Sequence, residues 1–179
     1  MSKTAFIEKM LDSGVIVKLS ECFENNGPAD IPSCLYYSNG HGHTVIPMLE
    51  NSDPNVWLMN ALTEAYNQHG PFIEAGFVGD AFGMEFDNEE DMIKTIKEST
   101  QTLEQQHRSD PSAPVREILV ASAVFGDGSH AGGLVEYSYG DDGMPVFGQP
   151  EVTEGVQGGA VAFILDSFYR YLQNFNEEG

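Results

Sequence analysis

The sequence predicts an α+β fold: one antiparallel sheet of about five to six strands, built from hairpins, with helices packed on one face. Three turn signals separate the apolar segments, at Asn39-Gly40, Asp127-Gly128 and Asp141-Asp142-Gly143. Turns this short join antiparallel strands, because parallel strands need a long crossover connection. The predicted helices flank the strands without regular alternation of strand and helix. Because 179 residues suit one domain, we expect a single compact unit over residues 1–179.

The N-terminal segment, residues 1–24, is predicted to be helical. Its first part has apolar residues at helical spacing, namely Phe6, Ile7, Met10 and Leu11. We expect Ser13-Gly14 to end this first helix. Residues 15–24 fit a strand through Val15, Val17 and Leu19, or a helix with Ile16, Leu19 and Phe23 on one side, and we favour the helix. Residues 25–33 (NNGPADIPS) are predicted to be a turn-rich linker.

Hairpins and strands are predicted between residues 34 and 148. The first hairpin pairs 34–38 with 43–48 around Asn39-Gly40, since both turn residues tolerate a positive φ. Pro47 has no N–H to donate to a neighbouring strand, which places its strand at a sheet edge. The remaining predicted strands are 72–86 (one long strand or a bent hairpin), 116–125, 132–139 and 144–148. Of these, 116–125 is the most apolar, so we expect it to be central.

Three further helices are predicted, at 54–68, 89–106 and 154–173. Asp53 can cap the first of them, and Pro54 suits its first turn. Asn88 is expected to cap the second, whose acidic first turn matches the positive end of the helix dipole. Thr153 is predicted to cap the C-terminal helix, and the stretch after the second helix, 107–115, is predicted to be a loop.

The charge of the chain excludes several functions. There are 28 Asp and Glu residues against 8 Lys and Arg, a net charge of −20. Binding to nucleic acid depends on Lys and Arg that replace counterions, so we expect neither a nucleic-acid partner nor an anionic membrane. A basic protein is the partner that this charge favours, and an acidic DNA mimic is an alternative. The oligomeric state is left open.

Other features indicate a cytoplasmic protein. The N-terminus lacks the basic-then-apolar layout of a secretory signal, and no segment approaches the length of a membrane span. Cys22 and Cys34 are too few for a disulfide framework, and we expect both to be small buried apolar residues.

His41-Gly42-His43, with Ser52 and Asp53 downstream, resembles the zinc signature of JAMM-type isopeptidases. Such a site holds zinc with two imidazoles and a carboxylate and keeps one position open for an activated water. Eight residues separate His43 from Ser52 here, one more than in that family, and Asp53 follows immediately. We predict no cofactor, and we keep a zinc-dependent hydrolase using His41, His43 and Asp53 as an alternative function.

Two further motifs carry a second resemblance. Residues 78–82 (VGDAF) read as a strand, and the segment from His107 to Glu117 leads from a loop into the next strand. Their order over about residues 33–140 resembles an uncharacterised family of small proteins from actinobacteria, their phages and plasmids. That resemblance implies no activity, but it implies a phage or mobile-element origin. It makes Asp80, His107, Arg116 and Glu117 a candidate polar site; the alternative is an ordinary salt bridge between strand and loop, such as Arg116 with Asp80.

These observations together predict a non-enzymatic protein that binds another protein. The charge, the lack of a complete catalytic motif and the phage-type resemblance all favour an accessory or host-modulating factor.

Overall fold

The computed structural model describes residues 2–49, 52–84, 88–98, 102–109 and 115–178. The helices in these ranges are α1 (Lys3–Asn25), α2 (Pro54–His69), α3 (Glu89–Glu98), α4 (Leu103–Ser109) and α5 (Ala160–Glu178). The strands are β1 (Cys34–Ser38), β2 (His43–Pro47), β3 (Glu74–Met84), β4 (Val115–Phe125), β5 (His130–Tyr139), β6 (Pro145–Phe147) and β7 (Glu151–Glu154). Every strand pair is antiparallel, in the order β2-β1-β3-β4-β5-β6 with β7 also on β5. The α+β class with an antiparallel sheet is therefore confirmed.

Helices cover both faces of the sheet, where the sequence led us to expect one. Neighbouring residues of a strand point to opposite faces, and in β3 Val78 packs beneath α1 while Phe77 packs beneath α2 and α5. The α1 side contains Phe6, Ile7, Met10 and Leu11. The opposite side contains Leu58, Leu62, Leu165 and Phe168. Burial on both faces explains why the central strand β4 is apolar along most of its length.

Helix α1 is continuous through Ser13-Gly14, where we expected it to end. Gly14 is buried against the sheet, and a Cβ added there would lie 3.3 Å from Val78 Cγ2 and 3.5 Å from Leu119 Cδ1. The glycine thus allows a close approach of helix to strand instead of breaking the helix. The helix ends at Asn26, which has the left-handed conformation with φ 54°. The helical interpretation of 15–24 is confirmed.

The first hairpin has the predicted strands, but its turn differs from the Asn-Gly turn that we expected. Ser38 pairs with His43, which leaves a four-residue loop, 39–42. Only Gly40 has the positive φ that we expected of both Asn39 and Gly40. The Asn39 side chain instead accepts hydrogen bonds from the backbone N–H of His41 (2.9 Å) and Gly42 (3.1 Å). Strand β2, with Pro47, lies at the sheet edge as predicted.

The predicted helix 89–106 is divided into α3 and α4. Asn88 caps α3 by accepting a hydrogen bond from Asp91 N at 2.8 Å, as predicted. A second start follows at Thr102, whose Oγ1 accepts from Gln105 N (3.2 Å) while Gln105 Oε1 accepts from Thr102 N (3.0 Å). This reciprocal capping box begins α4, which therefore includes the start of the predicted loop 107–115.

The C-terminal helix begins later than predicted. Thr153 lies in strand β7, opposite Gly132 of β5, and does not cap a helix. Strand β5 is long enough for β6 to pair with one half and β7 with the other, so its backbone groups are satisfied along most of its length. Helix α5 starts only at Ala160, after Gly159 with φ 96°.

Replacing Gly133 by Ala is expected to destabilise the protein by about 1–3 kcal/mol, the usual cost of overpacking. A Cβ there would lie 2.8 Å from the Glu151 carbonyl oxygen of β7 and 2.8 Å from Ile7 Cγ2 of α1. Gly42→Ala is the control, because a Cβ at Gly42 meets no atom within 4 Å. Urea unfolding measures the free energy of unfolding of the two variants, and equal values would contradict the packing described.

Candidate functional site

The ordinary alternative for the predicted polar site, an ion pair between Arg116 and Asp80, is not formed. Asp80 lies opposite Leu119 in the β3–β4 register. Arg116 is three residues from Leu119, an odd number, so its side chain points to the other face of the sheet. There the Arg116 guanidinium pairs with Glu136 at 3.0 Å, and both side chains are about half exposed.

The other two residues of the predicted polar site lie elsewhere. Glu117 is paired in register with Phe82 and Tyr137, on the same sheet face as Asp80. His107 belongs to α4 and not to a loop, and its side chain is outside the described part of the structure. Arg116 and Glu117 both line an open depression of about 810 Å³ at one end of β4, β5 and β6. The sheet thus brings Asp80 and Glu117 to one face and excludes Arg116 from it.

The residues predicted to hold zinc do not meet. His41 is exposed in the β1–β2 turn, and His43 is exposed at the start of the edge strand. The Asp53 carboxylate caps α2 by accepting hydrogen bonds from Asn55 N (2.9 Å) and Val56 N (3.1 Å), as predicted. Within the described ranges, no three or more His, Cys, Asp and Glu side chains are grouped so as to hold a metal ion.

A buried polar cluster lies beneath the C-terminal half of α1, and we call it the Lys18 network. The Lys18 side chain is fully buried, and its Nζ donates to Asp80 Oδ2 (3.0 Å) and to the Ala29 carbonyl (2.5 Å). Asp80 also accepts hydrogen bonds from the Tyr137 hydroxyl (2.8 Å) and from Ile31 N (2.9 Å). The network therefore joins α1, the linker after it, β3 and β5, and consists of Lys18, Ala29, Ile31, Asp80, Tyr137 and Tyr139.

Aromatic rings complete the surroundings of the Lys18 ammonium. Its Nζ lies 4.7 Å from the centroid of the Tyr137 ring and 5.6 Å from that of Tyr139. Burial by itself lowers the pKa of Lys18, but hydrogen bonds to Tyr139 and Asp80 and the charge of Asp80 outweigh it and raise that pKa. Burial, with the charge and the hydrogen bond of Asp80, raises the pKa of Tyr137 far above its ordinary value. At neutral pH the network therefore contains a charged Lys18 and a neutral Tyr137.

Lys18 lies on the buried side of α1, which begins with the apolar residues Phe6, Ile7, Met10 and Leu11. Cys22 lies one turn further on and is buried too, so this half of the helix turns Lys18 and Cys22 towards the sheet. Its apolar side then faces outward. The exposed fractions are 67 % for Ile16, 37 % for Leu19 and 75 % for Phe23, and we call these three residues the α1 ridge.

The α1 ridge is a row of apolar side chains beside acidic ones. Ile16 and Phe23 are seven residues apart on one side of the helix, about 10 Å along its axis. Exposed Asp12, Glu21 and Glu24 lie on the same helix beside them. Single exposed apolar residues are ordinary on a protein surface, but a row of three at helical spacing is the pattern by which helices bind in apolar grooves. The predicted helical spacing of Ile16, Leu19 and Phe23 was right, and only its outward direction was missed.

Neither a family model, nor a curated protein, nor a solved structure gave a significant match to this chain. The resemblance to the actinobacterial and phage family stays a prediction. None of the helices in the described ranges has both the length and the apolar character needed to span a membrane. Cys22 and Cys34 are both free thiols; Cys22 is buried, and Cys34 is partly buried.

Replacing Lys18 by Met is expected to lower the free energy of unfolding by about 3–5 kcal/mol, because the Asp80 carboxylate then lacks its cation. Lys9→Met is the control, since Lys9 is an exposed lysine of the same helix. Adding Asp80→Asn to the Lys18 variant should restore part of the loss, because the uncompensated charge is gone and the amide oxygen can still accept from Ile31 N. Denaturant unfolding of these three variants and of Asp80→Asn alone measures the coupling, and simple additivity of the Lys18 and Asp80 changes would contradict it.

The protein is expected to lose stability above about pH 10, the usual pKa of tyrosine. Both Tyr137 and Lys18 have a raised pKa in the folded state, so above that pH the unfolded chain releases protons that the folded chain retains. The stabilisation that comes from these two raised pKa values is complete below about pH 10. It declines as the pH rises towards the pKa values that Lys18 and Tyr137 have in the folded protein. Tyr137→Phe should reduce this decline, measured by unfolding at a series of alkaline pH values, with Tyr171→Phe as the exposed control. A decline in the free energy of unfolding of the Tyr137 variant as steep as that of the wild type would contradict the argument.

Proposed function

We propose that this protein is a non-enzymatic binding protein that inserts the α1 ridge into an apolar groove of a basic partner protein. The observation that carries the proposal is the orientation of α1, which buries a lysine and exposes Ile16, Leu19 and Phe23. An amphipathic helix ordinarily buries its apolar residues and exposes its charged ones.

Burial of the ridge contributes part of the free energy that a specific complex needs. Moving a large apolar side chain out of water contributes roughly 1.5–3 kcal/mol when its burial is complete. Three such residues offset a substantial part of the free energy lost when two proteins associate and order their side chains. The ridge alone therefore does not account for a tight complex, and contacts around its rim have to contribute the remaining free energy.

The charge supports a basic partner. Exposed Asp12, Glu21 and Glu24 lie beside the ridge, and the whole chain carries −20. Opposite charge on the rim of the groove would accelerate encounter and exclude acidic competitors, and salt would reduce that acceleration. An accessory or host-modulating protein acting in the cytoplasm, as the sequence predicts, would use such a surface to capture a component of the cell.

The test is capture from a lysate of the source cells, identification of the protein retained, and affinity measurement with that protein in purified form. The wild type is compared with Ile16→Gln/Phe23→Gln and with the control Val56→Gln/Val146→Gln, which changes two residues that are 59 % and 61 % exposed on other elements. We expect one basic protein whose affinity falls about 100-fold in the ridge variant, equivalent to ~2.7 kcal/mol, and stays the same in the control.

Two results would contradict the proposal. One is the absence of any specifically retained protein at low salt. The other is a partner bound equally well by the ridge variant; if that partner is a DNA-binding protein displaced by duplex DNA, the acidic DNA mimic becomes the better explanation.

A further inference from the structure

The loop before α5 joins a strand to a helix and is rich in glycine. Residues 155–159 (GVQGG) follow β7 directly and lead into Ala160, the first residue of α5. Gly155 and Gly159 have positive φ, 112° and 96°, a backbone conformation that favours glycine. A Cβ added to Gly155, Gly158 or Gly159 meets no atom within 4 Å, so the space around these residues is open. A ligand can therefore approach the backbone of this loop closely.

The start of α5 presents backbone hydrogen-bond donors. Hydrogen bonding within the helix begins with Phe163 N, which donates to the Gly159 carbonyl at 3.1 Å. The N–H groups of the three preceding residues, 160–162, have no acceptor among the described residues, and Gly159 has no side chain with which to cap them. Residues 155–165 also contain no acid, in a chain that carries −20. Free N–H groups at the positive end of a helix dipole favour an anion.

A cavity of about 480 Å³ connects this helix start with a group of polar side chains. Gly159 and Ala162 line it at the helix start, and His130, Asp166 and Arg170 line it further along. Ala162 and Asp166 are four residues apart, which is about 6 Å along the helix axis. The volume lies within the range of roughly 300–1,000 Å³ that is usual for small-molecule sites.

Asp166 holds the two basic side chains of this cavity in place. Its Oδ1 lies 2.9 Å from His130 Nε2, and its Oδ2 accepts from Arg170 Nε at 2.7 Å. Burial by itself raises the pKa of Asp166, but the hydrogen bonds of His130 and Arg170 and the charge of Arg170 outweigh it and lower that pKa. Because a carboxylate only accepts, the His130 ring carries a proton on Nε2. The Nη atoms of Arg170, whose side chain is 76 % exposed, donate to no described residue and are available to a ligand.

His130 is an independent indication that the cavity takes a ligand. Its side chain lines the cavity and is nine-tenths buried, with an exposed fraction of 10 %. Its Nδ1 is buried and has no hydrogen-bond partner in the described part of the chain. A buried polar atom without a partner is destabilising, and a native protein seldom has one without a functional reason. When the ring takes up a second proton, Nδ1 becomes a donor, and an anion in the cavity stabilises that charged form.

We propose that this cavity binds the phosphate group of a small phosphorylated molecule. Phosphate oxygens accept several hydrogen bonds at once, which suits the free N–H groups of α5, and the fork of Arg170 Nη atoms matches two of these oxygens. Because the cavity is larger than a phosphate group, the ligand also has a small organic body. Val156 and Phe163, which are 94 % and 73 % exposed, line the cavity and offer that body apolar contacts.

The net charge of the protein limits the charge of the ligand. A body of charge −20 repels a polyanion such as a nucleic acid more strongly than it repels one phosphate group. The acids at the cavity are paired, Asp166 with Arg170 and Asp127, next to the lining Gly128, with Lys3 at 2.9 Å. We therefore expect a small phosphomonoester to bind with modest affinity and an oligonucleotide not to bind.

NMR titration of the isotope-labelled full chain with inorganic phosphate, and separately with glycerol phosphate, tests the proposal. We expect the backbone amide signals of residues 159–162 to shift and to saturate with both probes, and glycerol itself to cause no shift. A single-stranded oligonucleotide is the third probe and should leave these signals unchanged.

A matched pair of variants at the exposed Ala160 separates binding from folding. Ala160→Glu places a carboxylate at the positive end of α5, which stabilises the helix but should weaken the binding of glycerol phosphate at least tenfold. Ala160→Gln has nearly the same shape without the charge and should bind like the wild type. Arg170→Gln should also weaken binding at least tenfold, because the guanidinium fork is lost. Thermal unfolding followed by circular dichroism establishes that the variants are folded.

Three outcomes would overturn the phosphate site. They are the absence of a saturable shift in residues 159–162 with either phosphate probe, equal affinities of the Glu and Gln variants at Ala160, and tighter binding of the oligonucleotide than of glycerol phosphate. None of them bears on partner capture by the α1 ridge, because α1 and α5 pack on opposite faces of the sheet. The ridge variant Ile16→Gln/Phe23→Gln should bind glycerol phosphate like the wild type.

Discussion

A buried pair of charges, Lys18 and Asp80, connects more of this protein than any single apolar contact. Lys18 belongs to α1, Asp80 to β3, and the tyrosine that hydrogen-bonds the carboxylate belongs to β5. The linker after α1 takes part through the Ala29 carbonyl and the Ile31 N–H. Removing two charges from water costs several kcal/mol per ion, and the pair is tolerated because hydrogen bonds and aromatic rings replace the lost water. Its specific effect is to hold α1 in one rotation about its axis.

That rotation determines what the surface offers to other molecules. If α1 buried its most apolar residues along its whole length, Ile16, Leu19 and Phe23 would be in the core and Lys18 would be in solvent. The observed rotation does this only in the first half, where Phe6, Ile7, Met10 and Leu11 are buried. Gly14 lies between the halves and lets the helix approach Val78 and Leu119 closely. The same helix thus contributes to the core with one half and presents the α1 ridge with the other.

The high negative charge is spread over both sides of the sheet. Helix α1 has four acids and three bases, and helix α5 has three acids and one base, so neither helix is neutral. Because the whole chain carries −20, the charge favours a basic partner protein at any of its surfaces, and salt would reduce that attraction.

Local features were predictable because short-range chemistry dominates them. The hairpin at Asn39-Gly40, the caps at Asp53 and Asn88 and the edge position of Pro47 depend on hydrogen bonds within a few residues. The capping box at Thr102 is also a local feature. It was not predicted, because the helical spacing of the residues around it indicated one continuous helix.

Contacts between residues far apart in sequence decided the features that could not be predicted. A salt bridge between Asp80 and Arg116 was an ordinary possibility in the sequence, yet the register of β3 and β4 places the two side chains on opposite faces of the sheet. No local pattern distinguishes Lys18 from a surface lysine, because its partners are 11 and 62 residues away. The sequence by itself determined the antiparallel class, most element ends, the helical spacing of the apolar residues and the net charge, all of which follow from neighbouring residues. Only the tertiary structure decided which side of each helix meets the sheet, because that choice depends on long-range packing and on where a buried charge finds its partner.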